Sequence, residues 1–255
     1  MELKVLNVER SFNGKRVLKG VSFSLEDGDV YLLLGPNASG KSTLLKIIST
    51  ILKPDSGDVL VDDVSVVKNP SIMRRIASYV PEVPSLVDEM SVLENLKFFS
   101  RLFKLDVDLD RILSEYRLTS EMRKPVSKIS KGMRQRLSLA MAMMRDPKVL
   151  ILDEPTSGLD RETIEFILEK IRRASNEGKI VLVSSHDEND LIRVATRIGI
   201  LEDGKLILQK GVSEMENERL VEIDVDGERK LVKIGEILKD VKIERILGIR
   251  ESLKV

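Results

Sequence analysis

An α/β fold with a mainly parallel sheet is the expectation from three observations in this 255-residue sequence. Val30 to Leu34, Val149 to Leu152 and Ile180 to Ser184 are short apolar runs of strand length without polar alternation, the pattern of strands buried on both faces. Stretches with helical spacing separate these runs, which is how parallel strands are joined. Glycine or a pair of acids stands at the ends of the first two runs, at Gly35 and at Asp153-Glu154.

The elements follow in order. Leu3 to Val8 and Val17 to Leu25 alternate or nearly so, and Asn13-Gly14 between them suits a tight hairpin turn, so residues 1–34 open with an antiparallel β subdomain. Val30-Tyr-Leu-Leu-Leu34 is a buried strand. Lys41 to Leu52 has helical spacing, with Pro54 just past its end. Residues of about 86–145 read as mostly helical, including Ser91 to Leu105 and Arg134 to Arg145, and form an inserted α-helical subdomain. A strand over 149–152 follows, then a helix from Arg161 to Glu177 that Gly178 stops. A strand over Ile180 to Ser184, a short helix over Glu188 to Val194 and a strand over Ile198 to Leu201 complete residues 1–212. Beyond that, Arg219 to Val225 and Arg229 to Ile234 alternate around Asp226-Gly227, a hairpin signal. Ile243 to Leu253 supplies one more strand. Residues 213–255 thus read as a small C-terminal α/β unit.

Composition narrows the function. Lys plus Arg number 42 and Asp plus Glu also 42, so no net charge favours a generic partnership with nucleic acid or an anionic membrane. With no cysteine, disulfides, zinc thiolates and cysteine nucleophiles are excluded. Met1-Glu2-Leu3-Lys4 has no apolar signal core, and no run approaches the roughly 20 apolar residues of a membrane helix. The expectation is a cytoplasmic protein with no direct membrane insertion.

Gly35-Pro36-Asn37-Ala38-Ser39-Gly40-Lys41-Ser42-Thr43 matches GxxxxGK[ST] between a strand and a helix, the context the motif requires. Its glycines let backbone N–H groups turn onto a polyanion, and the helix start adds partial positive charge there. Lys41 reaches the β- and γ-phosphates, the Ser42 hydroxyl ligates Mg²⁺, and Thr43 donates to the α-phosphate. The core is therefore expected to be that of a P-loop NTPase. Asp153 and Glu154 arrive at the C-terminal end of a buried strand, the edge where open parallel sheets bind ligands. Asp153 would hold Mg²⁺ directly or through water, and Glu154 would polarise the attacking water as general base. No Asn-Lys-x-Asp segment is present to read guanine, which counts against a GTPase.

Ile129-Ser130-Lys131-Gly132-Met133-Arg134-Gln135-Arg136 lies shortly before the acidic strand and resembles the signature of ATP-binding-cassette ATPases. The order is also theirs: phosphate loop, helical insertion, signature, acidic strand, Ser157-Gly158-Leu159-Asp160, then Ser185-His186-Asp187. The resemblance covers residues 1 to about 211. It implies that two such subunits sandwich two ATP molecules head to tail, each phosphate loop facing the other chain's Ser130 and Gly132. It further implies that His186 contacts the γ-phosphate and steadies the attacking water, that Asp160 pairs across the dimer, and that Phe12 stacks on adenine. Asp160 also suits the N-cap position before Arg161, a reading compatible with pairing across the dimer, and core packing is the plainer alternative for Phe12.

Two positions depart from the family pattern. Glu82 follows Tyr79-Val80-Pro81 where the family has a glutamine that touches Mg²⁺, so a carboxylate replaces an amide there. Lys131 replaces a signature glycine. The stretch Met90 to Phe99 and the signature itself resemble the branch that drives exporters of drugs, lipids or polysaccharides. The implied partners are a second ATPase subunit and an integral membrane permease, which would hold the chain on the inner face of the cell membrane. A soluble cassette ATPase without a channel, such as one serving iron–sulfur cluster assembly, is the alternative.

Overall fold

The computed structural model describes residues 1–186 and 190–212, together with the backbone of 221–225 and 228–232. The chain opens with β1 (Glu2–Phe12) and β2 (Lys15–Glu26), paired antiparallel. Asn13 and Gly14 join them at φ 49 and 78, the left-handed pair that Asn-Gly adopts readily. β3 (Val30–Leu34) is buried throughout, as its unbroken apolar run predicts. It is followed by α1 (Lys41–Ile48), which stops four residues before the Leu52 expected from its spacing. Thr50 takes a left-handed φ of 64, and the N–H groups of Thr50 and Ile51 turn back to the carbonyls of Ile47 and Lys46. That double closure ends a helix, here without the usual glycine.

Residues 56–80, to which no element is assigned from sequence, hold four: β4 (Ser56–Val61), β5 (Val64–Ser65), α2 (Ser71–Ile76) and β6 (Ala77–Val80). The helical insertion then supplies α3 (Val92–Phe103), α4 (Leu109–Glu115) and α5 (Lys131–Met143). Ser91 caps α3 in a reciprocal box: its hydroxyl accepts the Glu94 N–H at 3.2 Å, and the Glu94 carboxylate accepts the Ser91 N–H at 2.8 Å. β7 (Val149–Asp153), α6 (Arg161–Asn176), β8 (Ile180–Ser185), β9 (Arg197–Glu202) and β10 (Lys205–Gly211) follow. Of the short helix expected over 188–194, a single 3-10 turn at Leu191–Arg193 is found, and residues 188–189 lie outside the described ones. β11 (Val221–Val225) and β12 (Glu228–Val232) form the expected antiparallel hairpin. Its turn and the strand expected over 243–253 fall outside the described residues.

One sheet runs in the order β2-β1-β4-β5. The other runs β10-β9-β3-β8-β7-β6, parallel except for β10 at its edge. The central strands β3, β7 and β8 of the larger sheet are buried on both faces, and alternate residues of one strand serve different cores. Tyr31 and Leu33 pack with α1 and the antiparallel sheet, whereas Val30, Leu32 and Leu34 pack with the helices α5 and α6. Because β6, β7, β8 and β3 are parallel neighbours, the segments that leave their C-terminal ends emerge side by side. Those segments hold Glu82, Asp153-Glu154, His186 and the phosphate loop.

Candidate nucleotide site

The loop after β3 needs its glycines for closeness as well as for φ. A Cβ on Gly35 would lie 2.2 Å from the Leu201 carbonyl oxygen, and one on Gly40 (φ 111) would lie 2.8 Å from Leu18 Cδ2. Gly40 precedes the first turn of α1, whose N–H groups have no intrahelical acceptor and are available to an anion. Within this loop Lys41 is almost wholly buried. Its ammonium donates to the carbonyls of Gly35 at 2.7 Å and Pro36 at 3.2 Å and stands 3.4 Å from Glu154 Oε1. Ser39 is buried too, and its hydroxyl has no hydrogen-bond partner among the described residues.

Asp153 gathers three hydroxyls. Ser42 donates to its Oδ1 at 2.9 Å and Ser184 to the same oxygen at 2.6 Å, while Tyr79 donates to Oδ2 at 2.9 Å. Burial first, and then the Asp153 carboxylate, push the Tyr79 phenol well above its ordinary range, so it stays a donor at neutral pH. Since Ser42 gives its proton to Asp153, the lone pairs of its oxygen remain for a cation. Tyr79 and Ser184 were not anticipated as site residues.

Glu154 follows in the left-handed region at φ 48, a conformation rare for a residue with a Cβ and concentrated at functional sites. Its backbone N–H donates to Ser184 Oγ at 3.0 Å. Its side chain spans two cationic or polar neighbours: Oε1 faces Lys41, and Oε2 stands 2.8 Å from His186 Nδ1 and accepts the His186 N–H at 3.3 Å. A carboxylate held this way is turned into the cleft rather than out to bulk solvent.

The cleft measures about 590 Å³ and is lined by Asn37, Ala38, Lys41, Ser42, Thr43, Glu82, Glu154, Ser157 and His186, together with Lys15, Arg16 and Val17. Glu82 thus reaches the same space as Ser42 and Glu154. Phe12 lies outside that lining, 41% exposed, with the Arg10 guanidinium 4.8 Å above its ring. It is not a core residue. Ser130 caps α5, accepting the Met133 N–H at 3.2 Å. Gly132 is pressed against α6, where an added Cβ would meet Thr163 Oγ1 at 2.6 Å. Asp160 caps α6, accepting both the N–H and the hydroxyl of Thr163 at 2.9 Å, and those bonds hold its carboxyl below the ordinary range. The capping reading of Asp160 is therefore realised within the chain. Asp187 lies outside the described residues.

The donor set suits a small hard cation. Ser42, Glu82 and Asp153 offer oxygen alone, and among the described residues no group of three or more Asp, Glu, His or Cys side chains is gathered as a complete metal cage. Mg²⁺ is commonly bound by few protein oxygens together with substrate phosphates.

A phosphate loop at a parallel sheet's ligand edge, a carboxylate tied to its serine and a second carboxylate beside a histidine define the P-loop NTPase class. The ABC transporter family model matches residues 18–157, more than half of the chain. The Nod factor export ATP-binding protein I of Rhizobium etli is 34% identical over 208 residues, 80% of this chain and 66% of that protein. The lantibiotic transport ATP-binding protein SrtF of Streptococcus pyogenes is 33% identical over 216 residues, 84% of this chain and 93% of that protein. Among solved structures, an ATP-binding subunit of an ABC transporter superposes with a TM-score of 0.76 at 27% identity, covering 85% of this chain and 92% of that one. A dimeric cassette in a post-hydrolysis state bound to ADP and Pi superposes with a TM-score of 0.74 at 26% identity, covering 82% and 98%. The chain belongs to the ABC transporter family, among its ATP-binding subunits.

Proposed function

We propose that this chain hydrolyses Mg·ATP and, as a dimer, drives an export system through a separate membrane permease. The observation that carries this reading is the array at one sheet edge: Lys41, the Ser42–Asp153 pair and the Glu154–His186 pair all face one cleft. On nucleotide binding, Lys41 would exchange the carbonyls of Gly35 and Pro36 for β- and γ-phosphate oxygens, aided by the N–H groups of the loop and of α1, with Thr43 at the α-phosphate. Ser42 would ligate Mg²⁺, Asp153 would hold it directly or through water, and Glu82 would approach it with a full carboxylate. When bound, the ion neutralises charge on the phosphate oxygens. Glu154 Oε2 would orient and deprotonate the attacking water, and His186, fixed by Glu154, would steady that water against the γ-phosphate. Phe12 would offer its ring to adenine from the rim.

Ser130 caps the exposed start of α5 and Gly132, buried against α6, lies in its first turn, where helix N–H groups favour an anion. In a head-to-tail dimer they would meet the γ-phosphate of the other chain, with Asp160 beside them. A mostly apolar groove of about 360 Å³, lined by Ile51, Pro81, Phe99, Phe103 and Met141, lies next to the Glu82 segment and would seat a helix of the permease. No helix among the described residues is long and apolar enough to cross a membrane. The relatives named for Nod factor export and lantibiotic transport support export as the work done. Residues 213–255 are proposed as a separate C-terminal unit.

Affinity purification of the tagged chain from detergent-solubilised membranes tests the transport reading. An integral membrane protein should co-purify in stoichiometric amount, and Phe103→Glu should release it without lowering the melting temperature. Recovery of an active ATPase with no membrane partner would favour the soluble alternative.

A further inference from the structure

Lys131, the first residue of α5, reaches across to the loop that follows the acidic strand. Its ammonium donates to the Ser157 carbonyl at 2.6 Å. Ser157 is tied in turn to Glu154, whose carbonyl accepts the Ser157 N–H at 3.3 Å, and Ser157 lines the nucleotide cleft. The neighbouring Gly158 makes room for this contact. At φ 63 it has no side chain, and a Cβ there would lie 2.8 Å from Lys131 Nζ. Gly132, next to Lys131, is packed against Thr163 and Asp160. The start of α5 is thus fastened to residues 157–163 twice, by an ammonium and by a close backbone approach.

We infer that Lys131 is a positioning residue that couples the two nucleotide sites of the dimer. The inference rests on the sandwich arrangement proposed above. There, Ser130 and Gly132 serve the other chain's nucleotide, whereas Ser157 and Glu154 serve this chain's own. The Lys131–Ser157 bond joins those two sets directly. Arrival of a γ-phosphate at the start of α5 puts negative charge beside the ammonium, which pulls on the Ser157 carbonyl and shifts the loop that sets Glu154. The other chain's nucleotide thereby adjusts the general base of this chain's site. A glycine at 131, the family's residue, has no such reach.

The test compares wild type, Lys131→Met and Lys131→Arg in steady-state ATPase assays over a range of ATP concentrations. Lys131→Met keeps the length of the side chain without the donor, and position 131 is exposed, so folding is unaffected. The expected result is a Hill coefficient falling from near two towards one and a kcat about three- to tenfold lower in Lys131→Met. Binding of a fluorescent ATP analogue to the monomer should be unchanged within twofold, and Lys131→Arg should restore cooperativity. An unchanged Hill coefficient and kcat in Lys131→Met would overturn the inference, as would loss of monomer binding in parallel with kcat. ATP-dependent dimerisation of Glu154→Gln, followed by size exclusion, is the control. If that variant fails to dimerise, the sandwich itself is wrong; if it dimerises while Lys131→Met behaves as wild type, only the coupling role fails.

Discussion

Ser184 Oγ, on β8, stands 2.6 Å from Asp153 Oδ1, on β7, and both residues are buried. The hydroxyl also accepts the Glu154 N–H at 3.0 Å. One serine therefore holds both acids of the site. Ser184→Ala leaves a buried carboxylate oxygen short of a donor and a buried N–H without an acceptor, which should cost about 1–3 kcal/mol of stability. Urea unfolding checks this, and an unchanged midpoint would mean the contact contributes nothing.

Sequence reasoning did not find Ser184, and the reason is register. Parallel pairing of β7 with β8 sets Asp153 opposite Ser184, and that alignment is a tertiary fact that neither strand states alone. Tyr79 is hidden for the same reason, since β6 joins the sheet beside β7 through only four residues, Ala-Ser-Tyr-Val. By contrast β3 was legible to the residue, because an apolar run between Asp29 and Gly35 has one natural reading. The phosphate loop, Asp153-Glu154 and His186 were legible because each follows such a run. The end of α1 was not, because Thr50 takes a conformation that propensity assigns to glycine. β10 at the sheet edge escaped notice because its burial alternates while its sequence does not: Lys205, Ile207 and Gln209 are exposed, so an isoleucine stands on the solvent side of an edge strand.

Glu154→Gln keeps the shape of the side chain and removes the base. Turnover should fall about 10²- to 10⁴-fold while ATP affinity is retained or tightened, since one negative charge facing the γ-phosphate is gone. Single-turnover ATPase assays beside equilibrium binding separate these effects. Turnover in this variant equal to wild type would remove Glu154 from the mechanism.

Ala38 sits in the phosphate loop at φ 63, a left-handed conformation that disfavours any residue with a Cβ. Ala38→Gly removes that strain but frees the unfolded chain, so the net gain should be about 0.5–1 kcal/mol. A rise in melting temperature of roughly 1–3 °C is expected. A fall would show that the loop tolerates alanine without strain.

Glu115 links α4 to α6. The Lys170 ammonium bonded to it at 2.9 Å holds its carboxyl below the ordinary value of 4.5, against the opposing pull of desolvation. A depressed pKa means that the stabilisation is complete above about 4.5 and is lost as pH falls through the lowered value. Glu115→Gln, which leaves the buried Lys170 without its counter-charge, should cost about 1–3 kcal/mol at pH 7. The difference from wild type should narrow below pH 4. Unfolding midpoints at the two pH values decide this, and a difference that does not change with pH would refute the linkage.

Calorimetric titration of ATP with magnesium into the Glu154→Gln chain, with and without Lys41→Ala, probes the cleft most directly. Saturable binding of one nucleotide per chain, weakened at least tenfold by Lys41→Ala, is the predicted result. No saturable binding in Glu154→Gln, or equal affinity after loss of the Lys41 ammonium, would contradict it.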